Sequence, residues 1–224
     1  MPYAPPPPRS TGLFHLAILV PDRAELARAG RRIADAGWRL SGVADHLVSE
    51  ALYLDDPEGN GIEIYRDRPR SEWSYEGDEL QMATLPLDLE GLLESVDEST
   101  ASLVAGTRLG HVHLKVADLA SAQSFYTDVI GLEITARSYR GAAFLSTGGY
   151  HHHVGINTWT SSDMPPPPAG TRGLRWFELL VPGGGELTQL AHRAEQLGLL
   201  VGRADAQLRL VDPSGNGIVA TAAG

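Results

Sequence analysis

The sequence contains no cysteine, which excludes disulfides and thiolate chemistry. It has no apolar run approaching the ~20 residues of a membrane-spanning helix. Its Pro-rich start lacks the basic-plus-apolar pattern of a secretory signal, so a cytoplasmic location is expected. Basic residues are scarce: 18 Lys and Arg face 28 Asp and Glu, a net charge of −10. That argues against a nucleic-acid backbone as the main partner, because phosphate binding needs clustered cations. Between Ser71 and Arg108 nine acidic residues meet one arginine, so much of the excess lies in one segment, read as a solvated surface connector. What is present is ordinary for a globular protein: 224 residues, 42% hydrophobic and 21% charged, enough for one large or two small domains.

A repeat organises the chain. Asp56-Pro57-Glu58-Gly59-Asn60-Gly61-Ile62-Glu63 returns as Asp212-Pro213-Ser214-Gly215-Asn216-Gly217-Ile218-Val219, matching in six of eight positions. These are turn-forming residues. The last position differs in chemistry: a carboxylate, Glu63, against Val219.

Residues 1–10, with Pro5 to Pro8, read as an extended linker, which suggests that something belongs before it. Gly12 to Val20 alternates as a strand, with Phe14, Leu16, Ile18 and Val20 on one face and Leu13, His15, Ala17 and Leu19 on the other. Asp22 with Glu25 predicts a capped helix start, Leu26, Gly30, Ile33 and Ala34 its stripe, and Gly37 its stop. Strands are predicted near Trp38–Val43, Ala51–Leu54 and Ile62–Tyr65, completing a βαβββ unit over 11–70. The connector, 71–108, has room for a short helix from Asp88 to about Val96. The pattern restarts at 109–164, with strand His111–Val116, helix stripe Leu119, Ala122, Tyr126 and Val129, and strands near Leu132–Ser138, Ala142–Ser146 and His152–Thr158. A third copy fills 165–224. The fold expected is α+β: three βαβββ modules pairing into curved, partly open barrels with helices outside. One module is too small to bury its own sheet, so modules must pair.

Counting five residues back from Val20, Val116 and Val181 gives His15, His111 and Trp176, each turned from the face its helix covers. Units one and two thus offer His15, Glu63 and His111 on the concave side. Two imidazoles and one carboxylate with open positions suit non-haem Fe(II) or Mn(II). Seven of the eight histidines lie near first- or last-strand ends of these units or at His46 between them; His192 alone lies on the third helix.

These residues, with Asp45-His46 through Tyr53, Gly61-Ile62-Glu63-Ile64-Tyr65, Gly110-His111-Val112-His113 and Tyr150-His151-His152-His153 through Trp159, resemble the vicinal-oxygen-chelate superfamily. Within it, the chain is most similar to catechol 2,3-dioxygenase-like type I extradiol dioxygenases, from Gly12 to about Val219. The resemblance implies that His15, His111 and Glu63 bind Fe(II) or Mn(II). Tyr53 would hydrogen-bond a bound substrate oxygen, and His46 would sit beside substrate or oxygen. His152, three residues before Gly155, would be the acid–base residue. Beside these, and apart from the resemblance, His113, His153 and Asn157 are read as residues that would contact substrate or support the ligands. The partners implied are a catechol-type diol and dioxygen, and the assembly a homo-oligomer. In better-known members, the module giving one His and the acid–base His comes before the one giving His and Glu. Here the order is reversed, so the two central modules should pair. Members also have four modules where this chain has three, which implies a missing first module or a third unit that pairs with another subunit.

Other readings compete. His113 shares a face with His111, roughly 6–7 Å along the strand, and is a rival ligand. Strict alternation sets His151 and His153 apart from His152 and would turn His152 toward the helix; a bulge at the strand start would free it. Tyr53, Tyr65 and Trp159 are also ordinary strand aromatics. The rival functions are a glyoxalase-like lyase or isomerase, an epimerase, and a non-catalytic binding or truncated form of the same fold.

Overall fold

The computed structural model describes residues 3–98, 102–204 and 206–223. In chain order the first unit is β1 (Gly12–Leu19), α1 (Arg23–Asp35), β2 (Gly42–Asp45), β3 (Ser49–Asp55) and β4 (Gly61–Asp67). The connector forms a small hairpin, β5 (Tyr75–Glu76) and β6 (Glu79–Leu80), and a short helix α2 (Leu89–Glu94). The second unit is β7 (Arg108–Lys115), α3 (Leu119–Ser124) running on into a π-helical turn (Phe125–Ile130), β8 (Glu133–Ala136), β9 (Ala142–Ser146) and β10 (Val154–Asn157). The third is β11 (Phe177–Val181), α4 (Gly184–Gln196), β12 (Leu200–Ala204), β13 (Gln207–Val211) and β14 (Gly217–Ala222).

Units one and two join through their first strands. β1 and β7 run antiparallel, making one eight-stranded sheet in the order β2-β3-β4-β1-β7-β10-β9-β8. Unit three forms its own four-stranded sheet, β11-β14-β13-β12. The fold is therefore α+β, built of βαβββ modules of which the first two pair, as the reversed module order implies.

Local chemistry explains the elements. The Asp22 carboxylate accepts the Glu25 N–H at 2.9 Å, Asp88 caps α2 through Gly91, and Asp118 caps α3 through Ser121. Gly131, at φ +92°, ends the π-helical turn that continues α3. Both copies of the repeated turn close alike. The Oδ1 of Asp56 accepts the N–H of Glu58 and Asn60, while that of Asp212 accepts Ser214 and Asn216; each Asn side chain returns to its Asp at 2.8 Å.

Unit three docks helix-first. Leu187, Leu190 and Ala194 of α4 share one core with Tyr126 and Val129 of the π-helical turn after α3. Arg193 donates from Nε to the Val129 carbonyl at 2.8 Å and from Nη2 to that of Ile130 at 3.3 Å, satisfying acceptors at the end of the π turn. The opposite face of this sheet is open: Leu180 is 71% exposed and Trp176 56%.

Three expectations shift. β2 begins at Gly42, so Trp38 precedes the strand. Phe14 does not stay with Leu16, because a register shift between Leu13 and His15 breaks the alternation. The connector is a surface only in part: Glu76 and Asp78 are exposed, but Trp73, Leu80 and Met82 are buried against Val48 and Phe144. Leu92 is buried in the core under α1. Its charge excess hid an apolar minority spaced for a hairpin, while the short helix expected from Asp88 to about Val96 is present as α2.

Candidate metal centre and cavity

Three adjacent strands build the centre. Ala17 of β1 pairs with Glu63 on parallel β4 and with His111 on antiparallel β7; His15 lies two residues away on the same face. Ala17 is fully buried, and its methyl group leaves the space between the three larger side chains clear. Glu63 Oε2 is 2.9 Å from His15 Nε2 and 3.1 Å from His111 Nε2. Each residue offers a ligand atom within 4.8 Å of the others, and all three are buried.

The donor set fits a divalent metal. His15 Nε2 is buried without a hydrogen-bond partner although it lies beside Oε2, so its orientation serves a shared point and not the carboxylate. His111 Nδ1 is likewise buried and unpartnered; packing holds that ring, with Tyr65 at 4.9 Å and His152 at 4.0 Å between centroids. Burial opposes charge on Glu63, yet the imidazoles of His111 and His15 against Oε2 hold its carboxyl well below the usual range. Burial pushes His111 down to about 4 despite the carboxylate. The state consistent with both shifts is an ionised Glu63 carboxylate beside a neutral His111 imidazole, the protonation that metal ligation requires of those two groups.

Beside the centre opens a cavity of about 440 Å³ lined by His15, Glu63, Tyr53, His46, His113 and His152 among others. Its apolar walls include Phe14, Met82, Phe144 and Trp159. His46 sits in the β2–β3 turn, next to Leu47 at φ +70°. Its Nδ1 meets the Ala83 carbonyl at 2.7 Å and its Nε2 the Tyr53 hydroxyl at 2.8 Å. Burial, then the charge of Glu63, raises the Tyr53 phenol well above its ordinary value, so it keeps its proton.

His113 lies outside the three-donor cluster. Its Nε2 is 3.0 Å from Asn157 Nδ2, while Asn157 Oδ1 accepts the Trp159 N–H, which orients the amide. Burial holds His113 well below the ordinary imidazole value. Gly155 sits against it: a Cβ there would come 2.9 Å from the His113 ring. His152 lines the cavity, and burial also holds it neutral. Because β10 starts only at Val154, strict alternation does not extend back to the three histidines. His153 takes no part in the cavity lining; its Nδ1 bonds Ser146 Oγ at 2.8 Å.

Phe14 and the connector's contribution, Met82, Thr84 and the Ala83 carbonyl, were not anticipated. The bulge in β1 brings Phe14 in, with ring centroids 5.0 Å from His113 and 5.4 Å from Trp159. Met82, apolar in an acidic stretch, was the available signal for the connector.

Comparison with known proteins gives a consistent family. The model of the Glyoxalase/Bleomycin resistance protein/Dioxygenase superfamily matches residues 1–64 and 108–218. A Bacillus subtilis (strain 168) protein named catechol-2,3-dioxygenase is 46% identical over 212 residues, covering 92% of this chain and 74% of that protein. A crystal structure of a Bacillus subtilis protein provisionally assigned as a dioxygenase superposes with a TM-score of 0.65 at 11% identity; it covers 94% of this chain, which spans only 62% of that protein's length. Glyoxalase I from Zea mays superposes at 0.55 with 15% identity, over 99% of this chain and 69% of the maize chain. The two superpositions speak for the fold alone.

Proposed function

Since the chain belongs to the Glyoxalase/Bleomycin resistance protein/Dioxygenase superfamily, we propose that it is an extradiol dioxygenase opening the ring of a catechol-type diol beside its two hydroxyl groups. The observation that carries this reading is the buried His15–Glu63–His111 set beside a cavity that combines aromatic walls with hydrogen-bonding side chains. The named relative at 46% identity supports it.

His15, His111 and Glu63 would hold Fe(II), or Mn(II) in its place. That ion would supply a centre on which diol and dioxygen are held side by side and through which electron density passes between them. Phe14, Phe144 and Trp159 form walls suited to a flat ring. The Ala83 carbonyl can only accept, so His46 donates to it from Nδ1, and the Nε2 lone pair would then face the Tyr53 O–H. The Tyr53 oxygen then accepts from an entering substrate hydroxyl. Buried, neutral His152 is placed to take a proton from the diol and return it during ring opening. Asn157 fixes the ring of His113 at the cavity wall.

The test is direct. Purified protein is loaded anaerobically with Fe(II), or separately with Mn(II), given catechols, and then exposed to air. A yellow ring-fission product with matching oxygen uptake is expected. No product from any catechol, with metal demonstrably bound, would sink the reading.

A further inference from the structure

Behind His152 lies a second layer that the chemistry above does not use. His152 Nδ1 is 2.7 Å from Nδ1 of its neighbour His151. His151 is fully buried, and its other ring nitrogen, Nε2, lies 2.9 Å from Asp67 Oδ1. The same oxygen accepts the Tyr150 hydroxyl at 3.1 Å, and the Tyr65 hydroxyl meets that of Tyr150 at 2.8 Å. Asp67 closes β4, four residues beyond Glu63, so the strand that gives a metal-centre carboxylate also anchors this layer.

Hydrogen-bond direction constrains the protons. Two nitrogens 2.7 Å apart must be one donor and one acceptor. The Asp67 oxygen receives two bonds, so His151 donates to it from Nε2. With a single ring proton, on Nε2, His151 presents only a lone pair at Nδ1. His152 must donate from its own Nδ1, which leaves its Nε2 without a proton and with no protein hydrogen bond among the described residues.

We propose that Asp67 and His151 are positioning residues: they lock His152 in the tautomer that carries its proton on Nδ1 and presents a free Nε2 lone pair. The catalytic consequence rests on the reading of His152 as the cavity's proton-handling group; the tautomer itself does not. An unanchored imidazole samples both tautomers and ring flips, and only one of these offers a base on the correct side. Tyr150, stacked on His151 at 4.1 Å between ring centroids, keeps the ring plane in place.

The experiment is ring-nitrogen NMR of histidine-labelled, metal-free protein, combined with steady-state kinetics of the metal-loaded form. In the wild type, His152 should show a protonated Nδ1 and an unprotonated Nε2. His151→Phe keeps an aromatic ring but removes the acceptor; His152 should then populate the Nε2-protonated tautomer, with kcat lower by about tenfold or more and KM little changed. His151→Asn, whose amide oxygen can replace the Nδ1 acceptor, should restore the tautomer and most of kcat. A wild-type His152 protonated on Nε2, or a His151→Phe protein with an unchanged His152 tautomer, overturns the proposal. The wild-type spectrum decides the tautomer even if a variant fails to fold. An inactive protein with the expected tautomer would overturn the ring-cleavage reading and leave this one standing.

Discussion

Glu63 sits where two buried imidazoles converge on one carboxylate oxygen, so on the proposed ligand set its removal takes away the charged donor of the three. Glu63→Gln and His15→Ala should each weaken Fe(II) or Mn(II) binding by at least about 100-fold, read by chelator competition, with the circular dichroism of the fold retained. A His15→Ala protein that binds metal normally would remove His15 from the ligand set. The histidines also set an acid limit. Burial depresses the pKa of His111, His113 and His152 in the fold, while in the unfolded chain each titrates near 6.5. Below that value the unfolded state binds more protons than the folded one. Metal-free stability should therefore be intact above about pH 7 and fall as pH drops through 6.5, by up to ~1.4 kcal/mol per pH unit for each histidine. Urea midpoints at pH 7.5 and 5.5 check this; equal midpoints would mean that these groups are not held neutral. The sequence made His15, Glu63 and His111 legible because matched positions in two copies of one unit single out the same face. Phe14 was not legible, since a bulge leaves no composition signal, and neither was the Asp67–His151 link, which joins residues 84 positions apart.

At the scale of the element, the two repeated turns allow a controlled comparison. A Cβ on Gly61 would meet the Phe14 carbonyl oxygen at 2.3 Å, and one on Gly217 the Arg175 carbonyl oxygen at 2.4 Å. Neither backbone oxygen can swing away, so alanine at either site should destabilise by roughly 1–3 kcal/mol. The outcomes then diverge. Gly61→Ala displaces β4 against β1 and carries Glu63 with it, so metal affinity should fall as well. Gly217→Ala acts two residues before Val219 and should leave metal affinity unchanged. Equal losses of metal binding in both variants would break the link between strand register and site. The turns were readable in the sequence because Asp, Gly and Asn have few alternatives at those dihedrals. The connector hairpin was not, because two-residue strands carry no period.

For the whole molecule, the unequal use of three similar modules matters most. Units one and two cover each other through β1 and β7, whereas β11 has no strand on its outer side among the described residues and presents Leu180 and Trp176 to solvent. Open strand edges with apolar faces promote association. The wild type should self-associate as concentration rises in sedimentation velocity, and Leu180→Lys should do so less, with metal binding unaltered. A wild type that stays monomeric throughout would show that this edge is harmless. The number of modules and the pairing of the first two followed from residue spacing and module order; the helix-first docking of unit three did not, because Arg193 and the π turn it satisfies are far apart in the chain. The seam between β1 and β7 has one more consequence, in time. A chain leaving the ribosome displays His15 and Glu63 well before His111, which follows Glu63 by 48 residues. Until the second unit has laid its first strand along the first, the growing polypeptide holds only part of a chelating set. On the proposed ligand set, metal capture would wait for correct assembly, because a half-made chain holds only two of the three donors.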